Sequence, residues 1–417
     1  MRLRLLLLAL GAFAVGTDTM VMAGLLGDIA ADLEISVPAA GQLVTVFALG
    51  YAVLAPPLAT VTARWPRQRL LLTALTVFTL GNALSALAPT YPLLLATRVL
   101  AAAGAALYTP AASAAAASIV PPERRGRALA TVMGGMTVAT ALGVPLGTYI
   151  GDADWRLTMW LVVALGALAL GGLAVLLRGI PAPTAAPGLR ERLVPLGNRR
   201  VLSGIGTTFL FFLAVQGVYI YLATAVRPAT GGDAGRLTLV MFAGGLSSVA
   251  GSWLGGRAVD RLGVRPVMVT GVAVAAAGYL TLPWLSLTMA GALVYVLAVH
   301  FFAWATAVSL AHRMASLDPA DAPLLLSLNS SALYLGMAAG GGVGSAAVGL
   351  LGPRWFPLVS GALALLALVS AVVTTRRRAT AREAAPARAR ATKGPHPHEG
   401  AALPHENAAP APPAARS

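Results

Sequence analysis

Two ionisable side chains lie inside long apolar runs of the sequence, where charged residues are rare. Asp18 stands in GAFAVGTDTMVMAG, and the other fourteen acidic residues fall in predicted loops, at segment ends or in the C-terminal tail. Arg98, in LLLATRVLAAAG, is the one base inside such a run. A carboxylate in a membrane costs on the order of 3 kcal/mol on insertion scales and usually faces a cavity that serves protons or ions. Asp18 is therefore a candidate proton carrier.

Asp18 and Arg98 are predicted to lie at a similar depth. At 1.5 Å per residue, each is roughly 11 Å below the same boundary of the predicted membrane. This permits a pair, although either residue could instead only hold helices together. Loss of hydration favours a neutral carboxyl, whereas a nearby Arg favours the charged form. Arg98 is therefore expected to tune proton exchange at Asp18.

Other polar side chains within the apolar runs could line a binding cavity. His300 could relay protons or hydrogen-bond a substrate, or it could bond to backbone within the packing. Gln216 and Asn329 could hydrogen-bond a substrate or form hydrogen bonds between helices. The aromatic residues of the same region could contact a lipophilic compound or pack against neighbouring helices. The candidate cavity residues are Gln216, Tyr219, His300 and Asn329.

The elements that must position these residues are transmembrane helices. The 417-residue chain is 57% apolar and 11% charged, with a mean hydropathy of +0.77, whereas soluble chains are about half apolar and a quarter charged. The solvent of such a chain must be lipid, which excludes a water-soluble enzyme. The chain has no Cys, and therefore no thiolate metal site or thiol nucleophile. It has no G-x-x-x-x-G-K-[ST] phosphate loop, which argues against a primary pump. No cofactor or metal is expected.

Twelve apolar runs are each long enough for a transmembrane helix of about 20 residues. They predict an all-α polytopic membrane protein. Because the first run continues without a cleavage site, we interpret it as a retained helix rather than a signal peptide. The runs are 5–27, 39–61, 69–89, 91–118, 128–151, 155–178, 201–226, 237–256, 266–286, 288–311, 323–351 and 355–375.

The basic residues predict the orientation of these helices. With a cytoplasmic N-terminus, 25 of the 30 Lys and Arg fall in cytoplasmic segments and 4 in outer loops. This bias follows the positive-inside rule and places both termini in the cytoplasm. It also explains the net charge of +15 without a nucleic-acid partner.

The chain divides into two similar halves. A Pro- and Arg-rich segment, 179–200, separates a six-helix half at 1–178 from a second at 201–375. Residues 376–417 lack apolar periodicity and are expected to form a disordered cytoplasmic tail. Short basic loops recur at 58–69 and 254–266, which indicates a parallel repeat with its substrate site between the halves. Two similar halves favour a transporter with alternating access over a channel. A membrane enzyme such as an acyltransferase is not favoured, because no His–acid pair falls at the membrane surface.

The residues described above resemble those of the major facilitator superfamily, and more narrowly its twelve-helix drug:proton antiporters. The resemblance covers about residues 1–375. GTDTMVMAGLLGDIAADL (16–33) is similar to that group's first-helix signature, with its acid at Asp18. Arg98 matches the fourth-helix arginine that the family associates with proton transfer.

Two further motifs carry the same resemblance. LGGRAVDRLGVRP (254–266) resembles the superfamily's cytoplasmic loop motif, which implies a latch that stabilises the state closed on the cytoplasmic side. The first-half copy around Arg64 is degenerate, with Ala63 where the motif has an acid. In the second half the motif is matched at Gly256, Asp260, Arg261, Gly263 and Arg265.

The fifth apolar run contains ALGVPLG (141–147), which resembles the antiporter motif of that helix. It departs from the motif by one residue between the Gly and the Pro. Small residues let helices approach closely, and an internal Pro bends a helix. This segment is therefore either a contact at which helices rock against each other during transport or a face for tight packing. Its matched residues are Gly143, Pro145 and Gly147.

The stretch 36–59, together with Trp155 and Arg156, is similar to the branch that contains chloramphenicol exporters and sugar efflux proteins. The resemblance implies a bacterial inner-membrane transporter that exports small neutral or lipophilic drug-like compounds in exchange for protons, with Asp18 carrying the proton. Efflux of a sugar or nucleoside is the alternative, and a cavity richer in hydrogen-bonding side chains would favour it. The expected partners are a small-molecule substrate, protons and the lipid bilayer. The chain is expected to act as a monomer.

Overall fold

The computed structural model describes residues 2–121, 124–177, 194–318 and 322–373, and these are helical with no β-strand. Long Leu-, Ala- and Val-rich runs favour helices in lipid because a helix satisfies its backbone hydrogen bonds within one segment. Most of the predicted central loop and the whole predicted tail, 376–417, lie outside the described residues. Their predicted structure therefore stays a prediction.

The helices alternate with short connections along the chain. The first group contains α1 (Arg2–Asp32), α2 (Val37–Val61), α3 (Arg67–Ala86), α4 (Tyr91–Ser118), α5 (Arg125–Val138), a π-helical turn (Ala139–Gly143), α6 (Val144–Gly151) and α7 (Trp155–Leu176). The second group contains α8 (Arg199–Tyr219), α9 (Leu222–Ala225), α10 (Arg227–Thr230), α11 (Ala234–Leu262), α12 (Val264–Leu285), α13 (Met289–Ala315), α14 (Ala322–Trp355) and α15 (Pro357–Val373). A single 3₁₀ turn, Val194–Gly197, precedes α8.

Among the described residues, 11 helices are long and apolar enough to cross a membrane, with α5, the π-turn and α6 forming one of them. α15 is a shorter apolar helix at the place of the twelfth predicted span. The predicted all-α polytopic fold is therefore confirmed. Large apolar side chains are exposed around the helices, for example Leu168, Leu246 and Leu366. Such an outward-facing apolar surface suits contact with lipid.

Two helix boundaries differ from the prediction. The seventh run was predicted to be one helix over 201–226, but α8 ends at Tyr219 and short helices follow. Tyr221, beyond this break, donates its hydroxyl to the Pro38 carbonyl of α2 at 3.5 Å, so tertiary contact overrides the local helical preference. The eighth run was predicted to end at residue 256, but α11 continues to Leu262 and ends before Gly263, whose φ is 84°. Glycine adopts such a conformation without steric cost.

Polar side chains cap the helices at one face of the bundle. Ser36, Asp154, Asp233 and Thr288 each accept a hydrogen bond from a backbone N–H in the first turn of the helix that follows. These caps satisfy donors that a helix N-terminus leaves free. All four stand in connections that the charge distribution predicts to be outside the cytoplasm. They fix where α2, α7, α11 and α13 begin.

Candidate functional site

The two ionisable residues singled out from the sequence form a buried ion pair. Arg98 Nη1 donates to Asp18 Oδ1 at 2.7 Å, between α4 and α1. The exposed fractions of the two side chains are 1% and 0%. The sequence placed them at similar depth without deciding whether they pair, and the structure brings them together.

Two side chains that the sequence analysis missed complete the surroundings of Arg98. Asn82 of α3 accepts a second hydrogen bond from Arg98 Nη1 at 3.3 Å. Its own amide nitrogen donates to the Phe78 carbonyl at 3.1 Å, which fixes the orientation of the amide. The guanidinium carbon also lies 4.6 Å from the ring centroid of Phe47 on α2, within the range of a cation–π interaction. Four helices thus converge on one buried charge pair.

Some polar atoms of the ion pair have no hydrogen-bond partner among the described residues. Asp18 Oδ2 and Arg98 Nε have no hydrogen-bond partner in the part of the chain that the structure describes, and the neighbouring Thr17 hydroxyl has none either. A bidentate arginine–carboxylate pair would use both carboxylate oxygens. The single-contact geometry leaves the second oxygen of Asp18 without a hydrogen-bond partner among the described residues.

The antiporter-like motif packs directly beside this pair. Pro145 has no N–H and cannot close an α-helical turn with Ala141. The chain forms a π-turn there, in which the backbone N–H of Val144 donates to the Ala139 carbonyl. Gly143 in the turn contacts the side chain of Thr17, next to Asp18, so a side chain at position 143 would collide with α1.

The glycine row of the motif continues along α6. A Cβ at Gly147 would lie 2.6 Å from a methyl carbon of Val21, which is shorter than real contacts allow. α6 therefore approaches the segment of α1 that carries Asp18 more closely than a larger residue would permit. The structure brings all three motif residues together, and Gly143, Pro145 and Gly147 are all buried.

Two of the lines of contact between the first and second groups of helices involve α2 and the π-turn. Between α2 and α14, Ser345 donates to the Pro38 carbonyl at 3.1 Å, and Gly341 packs against Thr45. Further along the same line, Tyr51 and Tyr334 stack with ring centroids 3.7 Å apart. On the second line, Gly245 of α11 packs against the backbone of the π-turn at Thr140 and Ala141. The contacts between α2 and α14 run from the start of α2 to its middle.

The loop-motif residues lie near the end of α2 and the end of α11. Their charged side chains form no ion pair with one another among the described residues. Arg64, Asp260, Arg261 and Arg265 are exposed. Within the described ranges, the ion pairs are Asp18–Arg98 and a surface pair between Arg156 and Asp32 at 2.6 Å. Of the motif glycines, Gly256 has open space around it and Gly263 provides the turn between α11 and α12. The charged side chains of the motif are therefore exposed to solvent in this structure.

Two of the four candidate cavity residues are neighbours. The rings of Tyr219 and His300 have centroids 5.9 Å apart, and the Tyr219 hydroxyl donates to the Met20 carbonyl of α1 at 3.4 Å. His300 also contacts Gly244 of α11, and its Nδ1 is buried without a partner among the described residues. These contacts place Tyr219 and His300 between α1 and α11.

The other two candidates have different surroundings. The side-chain nitrogen of Gln216 is buried and finds no partner in the described part of the chain. Asn329 instead accepts a hydrogen bond from the Thr208 hydroxyl of α8 at 2.8 Å. Asn329 thus takes part in a hydrogen bond between α14 and α8, one of the two roles expected from the sequence.

Known proteins resemble this chain along most of its length. The family model described as Major Facilitator Superfamily matches residues 8–317 and, in a second match, residues 204–413. A chloramphenicol resistance protein of Streptomyces lividans is 35% identical over 398 residues, which cover 90% of this chain and 98% of that protein. A probable sugar efflux transporter of Helicobacter pylori (strain P12) is 28% identical over 375 residues, with 88% of this chain and 93% of the relative covered.

A solved structure has the same fold. The crystal structure of a mutant of the nucleoside transporter NupG superimposes with a TM-score of 0.74 at 10% sequence identity, covering 89% of this chain and 99% of that one. At that identity the likeness concerns the fold alone. The family match and the relatives concern the sequence, and they agree with the fold. The chain is a multi-pass membrane protein that belongs to the major facilitator superfamily, a family of transporters rather than enzymes.

Proposed function

We propose that this transporter exports small neutral or lipophilic drug-like compounds of the chloramphenicol type in exchange for protons, across the inner membrane of a bacterium. The observation that carries the proposal is the buried Asp18–Arg98 pair with one open carboxylate oxygen. It supplies a titratable site inside the membrane, which a proton-coupled transporter needs. The 35% identity to a chloramphenicol resistance protein supports the substrate class.

The proton step follows from the open oxygen of Asp18. A proton entering from the acidic side binds Oδ2, and the neutral carboxyl no longer compensates the charge of Arg98. The ion pair weakens, and the contact between α1 and α4 changes its energy. When the site faces the cytoplasm, the proton leaves and the ion pair forms again. In this proposal the 2.7 Å contact between Arg98 and Asp18 belongs to the deprotonated carrier.

Alternating access supplies the transport step. We propose two six-helix halves, with both termini in the cytoplasm, that rock about a central site. In that topology the contacts Pro38–Ser345 and Thr45–Gly341 close the outer side, and the exposed loop motif leaves the cytoplasmic side open. The conformation therefore fits a carrier that is ready to take substrate from the cytoplasm. The carrier is proposed to act as a monomer.

The substrate site is proposed to include Gln216, Tyr219 and His300. The side-chain nitrogen of Gln216 is a buried polar group without a hydrogen-bond partner among the described residues, and the buried Nδ1 of His300 faces the backbone of Gly244. Leaving such groups unsatisfied costs free energy, and a substrate that hydrogen-bonds to them recovers it. A largely apolar compound with a few hydrogen-bonding groups suits this arrangement.

The same open groups favour one alternative, export of a sugar or nucleoside, which the sugar efflux relative also supports. Sugars carry hydroxyls on every side and need many polar partners. The contacts given for His300 and Tyr219 are with each other, with the Met20 carbonyl and with Gly244, and these add no further polar side chain. We therefore place neutral drug-like compounds first.

A drug-tolerance screen tests the substrate class. Expression in an efflux-deficient bacterium should raise tolerance to chloramphenicol several-fold, because a neutral aromatic amide-alcohol suits a site with few charges. Strongly cationic dyes should gain little protection, since Asp18 is already paired with Arg98. The measurement is the minimal inhibitory concentration across a compound panel that includes sugars. Tolerance to cationic dyes alone, or relief of sugar toxicity alone, would contradict this assignment.

The loop motif has its own test, the substitution Asp260→Asn. If the motif holds the cytoplasmic side closed in the other half of the cycle, the loss of its carboxylate should slow export several-fold. Stability should change little, because Asp260 is exposed and unpaired with a described residue in this conformation. Initial export rates at matched membrane expression provide the measurement, with Asp233→Asn at the opposite face as a control. A rate equal to wild type would mean that the motif has no latch role.

A further inference from the structure

A buried arginine needs compensation in both protonation states of its carboxylate partner. While Asp18 is charged, Arg98 has a 2.7 Å contact with it. Once Asp18 is neutral, the guanidinium would stand in a buried site without a counter-ion. Burying a charge without compensation is strongly unfavourable. Something other than Asp18 must therefore stabilise Arg98 in the protonated state.

The side chains around Arg98 identify what does so. Asn82 Oδ1 accepts from the same Nη1 that bonds to Asp18, at 3.3 Å, and Phe47 lies 4.6 Å from the guanidinium carbon. Asn82 is itself fully buried and held by its bond to Phe78. Neither Asn82 nor Phe47 titrates, so their contacts with Arg98 persist whether or not Asp18 carries a proton.

We infer that Asn82 is a positioning residue that, together with Phe47, holds the Arg98 guanidinium in place while Asp18 is protonated. The inference rests on the proposed proton exchange at Asp18 and names the group that makes it reversible. Asn82 contributes more to the protonated state, in which Arg98 has lost its anion, than to the ion-paired state. Its loss should therefore make Asp18 harder to protonate.

Other ionisable groups near α1 do not replace Asn82. α2 presents Phe47, and the π-turn presents Gly143. The Tyr108 hydroxyl of α4 reaches Leu8, ten residues from Asp18. Tyr219, with His300 beside it, meets α1 at Met20, about 200° around the helix from Asp18. Among the described residues, the buried charged side chains are Asp18, Arg98 and Arg313, and Arg313 of α13 donates to Ser203 and Thr207 of α8, so none of them adds a second charge at the pair.

The sign of the effect separates this role from a merely structural one. Asn82→Leu should lower, by about one unit, the pH at which half of Asp18 is protonated, which is a tenfold change in proton affinity. Asn82→Asp, of the same shape, should raise that pH, because it keeps a counter-ion beside Arg98 and adds a negative charge near Asp18. If Asn82 only oriented Arg98 toward Asp18, Asn82→Leu would loosen the ion pair and raise that pH instead.

The experiment is an infrared pH titration of the full chain in lipid vesicles, which needs no substrate. The protonated carboxyl band that is missing in Asp18→Asn reports Asp18 alone. Thr97→Val is the matched control, because the Thr97 hydroxyl bonds to Ser85 across the same two helices and to the Leu94 carbonyl rather than to the Arg98 guanidinium, and its loss should not shift the band. Opposite shifts in Asn82→Leu and Asn82→Asp support the inference.

A Leu variant that titrates at or above the wild-type pH overturns the inference, and so does a wild-type band that never titrates. Failure of the proposed function has a different signature. In that case the Asp18 band titrates and shifts as expected, but a pH gradient drives no export by wild type. If Asn82→Leu does not insert stably, Phe47→Leu takes its place, because loss of the ring beside the Arg98 guanidinium should also lower the pH at which half of Asp18 is protonated, and an unchanged or raised pH overturns the inference.

Discussion

Replacing Asp18 with Asn should abolish export driven by a pH gradient. Asn has nearly the size of Asp and can still accept a hydrogen bond from Arg98, but it cannot exchange a proton at neutral pH. Gradient-driven transport in proteoliposomes should fall to the level of vesicles without protein. Substrate binding or downhill exchange should persist, because the candidate cavity residues Gln216, Tyr219 and His300 lie on other helices.

Graded variants control for simple loss of packing. Asp18→Glu should retain part of the activity with a shifted pH dependence, since the carboxylate moves by one methylene. Arg98→Lys should be strongly impaired, because a compact ammonium cannot reproduce the planar guanidinium that reaches Asp18, Asn82 and Phe47 together. Undiminished proton-driven transport by Asp18→Asn, in protein that is correctly inserted, would refute the proposed role of the carboxylate.

Locking α2 to α14 should stop transport altogether. The double variant Thr45→Cys with Gly341→Cys places two thiols where a Cβ at Gly341 would lie 3.3 Å from Thr45 Cβ, close to the spacing of a disulfide. If these helices must part to open the outer side, the oxidised protein should lose nearly all export, and a reductant should restore it. The chain contains no native Cys, so no other thiol competes.

A second pair of thiols within one half provides the control for this experiment. The hydroxyls of Ser85 and Thr97 lie 2.8 Å apart between α3 and α4. A disulfide between Ser85→Cys and Thr97→Cys should leave export largely intact, because these helices belong to the same proposed half. The measurements are export before and after reduction, and cross-linking yield by mass spectrometry. Full export by completely cross-linked Thr45–Gly341 protein would contradict the proposed opening.

Much of the architecture was predictable because the physics of lipid leaves few choices. Apolar runs of sufficient length had to be helices. An acid and a base inside them indicated a functional site, because ionisable side chains are costly in a membrane. Their positions within the predicted helices placed Asp18 and Arg98 at the same depth in the membrane. Asn82 was missed although it is a polar residue inside the third run, and the reasoning that selected Gln216 and Asn329 would have found it.

Other features leave no local signal. Phe47 is one aromatic residue among many apolar ones, and only the approach of Arg98 from another helix distinguishes it. The end of α8 at Tyr219 depends on a contact that Tyr221 makes with α2, about 180 positions away in the chain. The exposure of Asp260 depends on how the helix ends are placed, which the motif itself does not encode. Local patterns report propensity and polarity, whereas these features arise from which helices meet.

The π-turn at Ala139–Gly143 has a consequence for how this helix tolerates insertions and deletions. A π-turn closes five residues apart, so it holds one residue more than an α-turn. The sequence departs from the antiporter motif by one residue at the same point, where Val144 separates Gly143 from Pro145. Val144 can thus be understood as an extra residue that the helix absorbs by widening one turn.

The glycine at the end of that turn and the next glycine along α6 both face α1 in spite of the extra residue. Gly143 still meets Thr17, and Gly147 still meets Val21. Deleting Val144 would join Gly143 to Pro145 and remove the extra residue that widens the turn, although the Pro would still lack an N–H for an α-helical hydrogen bond. Deleting one residue elsewhere in α6 would instead turn everything beyond it by about 100° and carry Gly151 away from α1. The π-turn is therefore the one place in the described part of this helix where length can change by a residue without changing register.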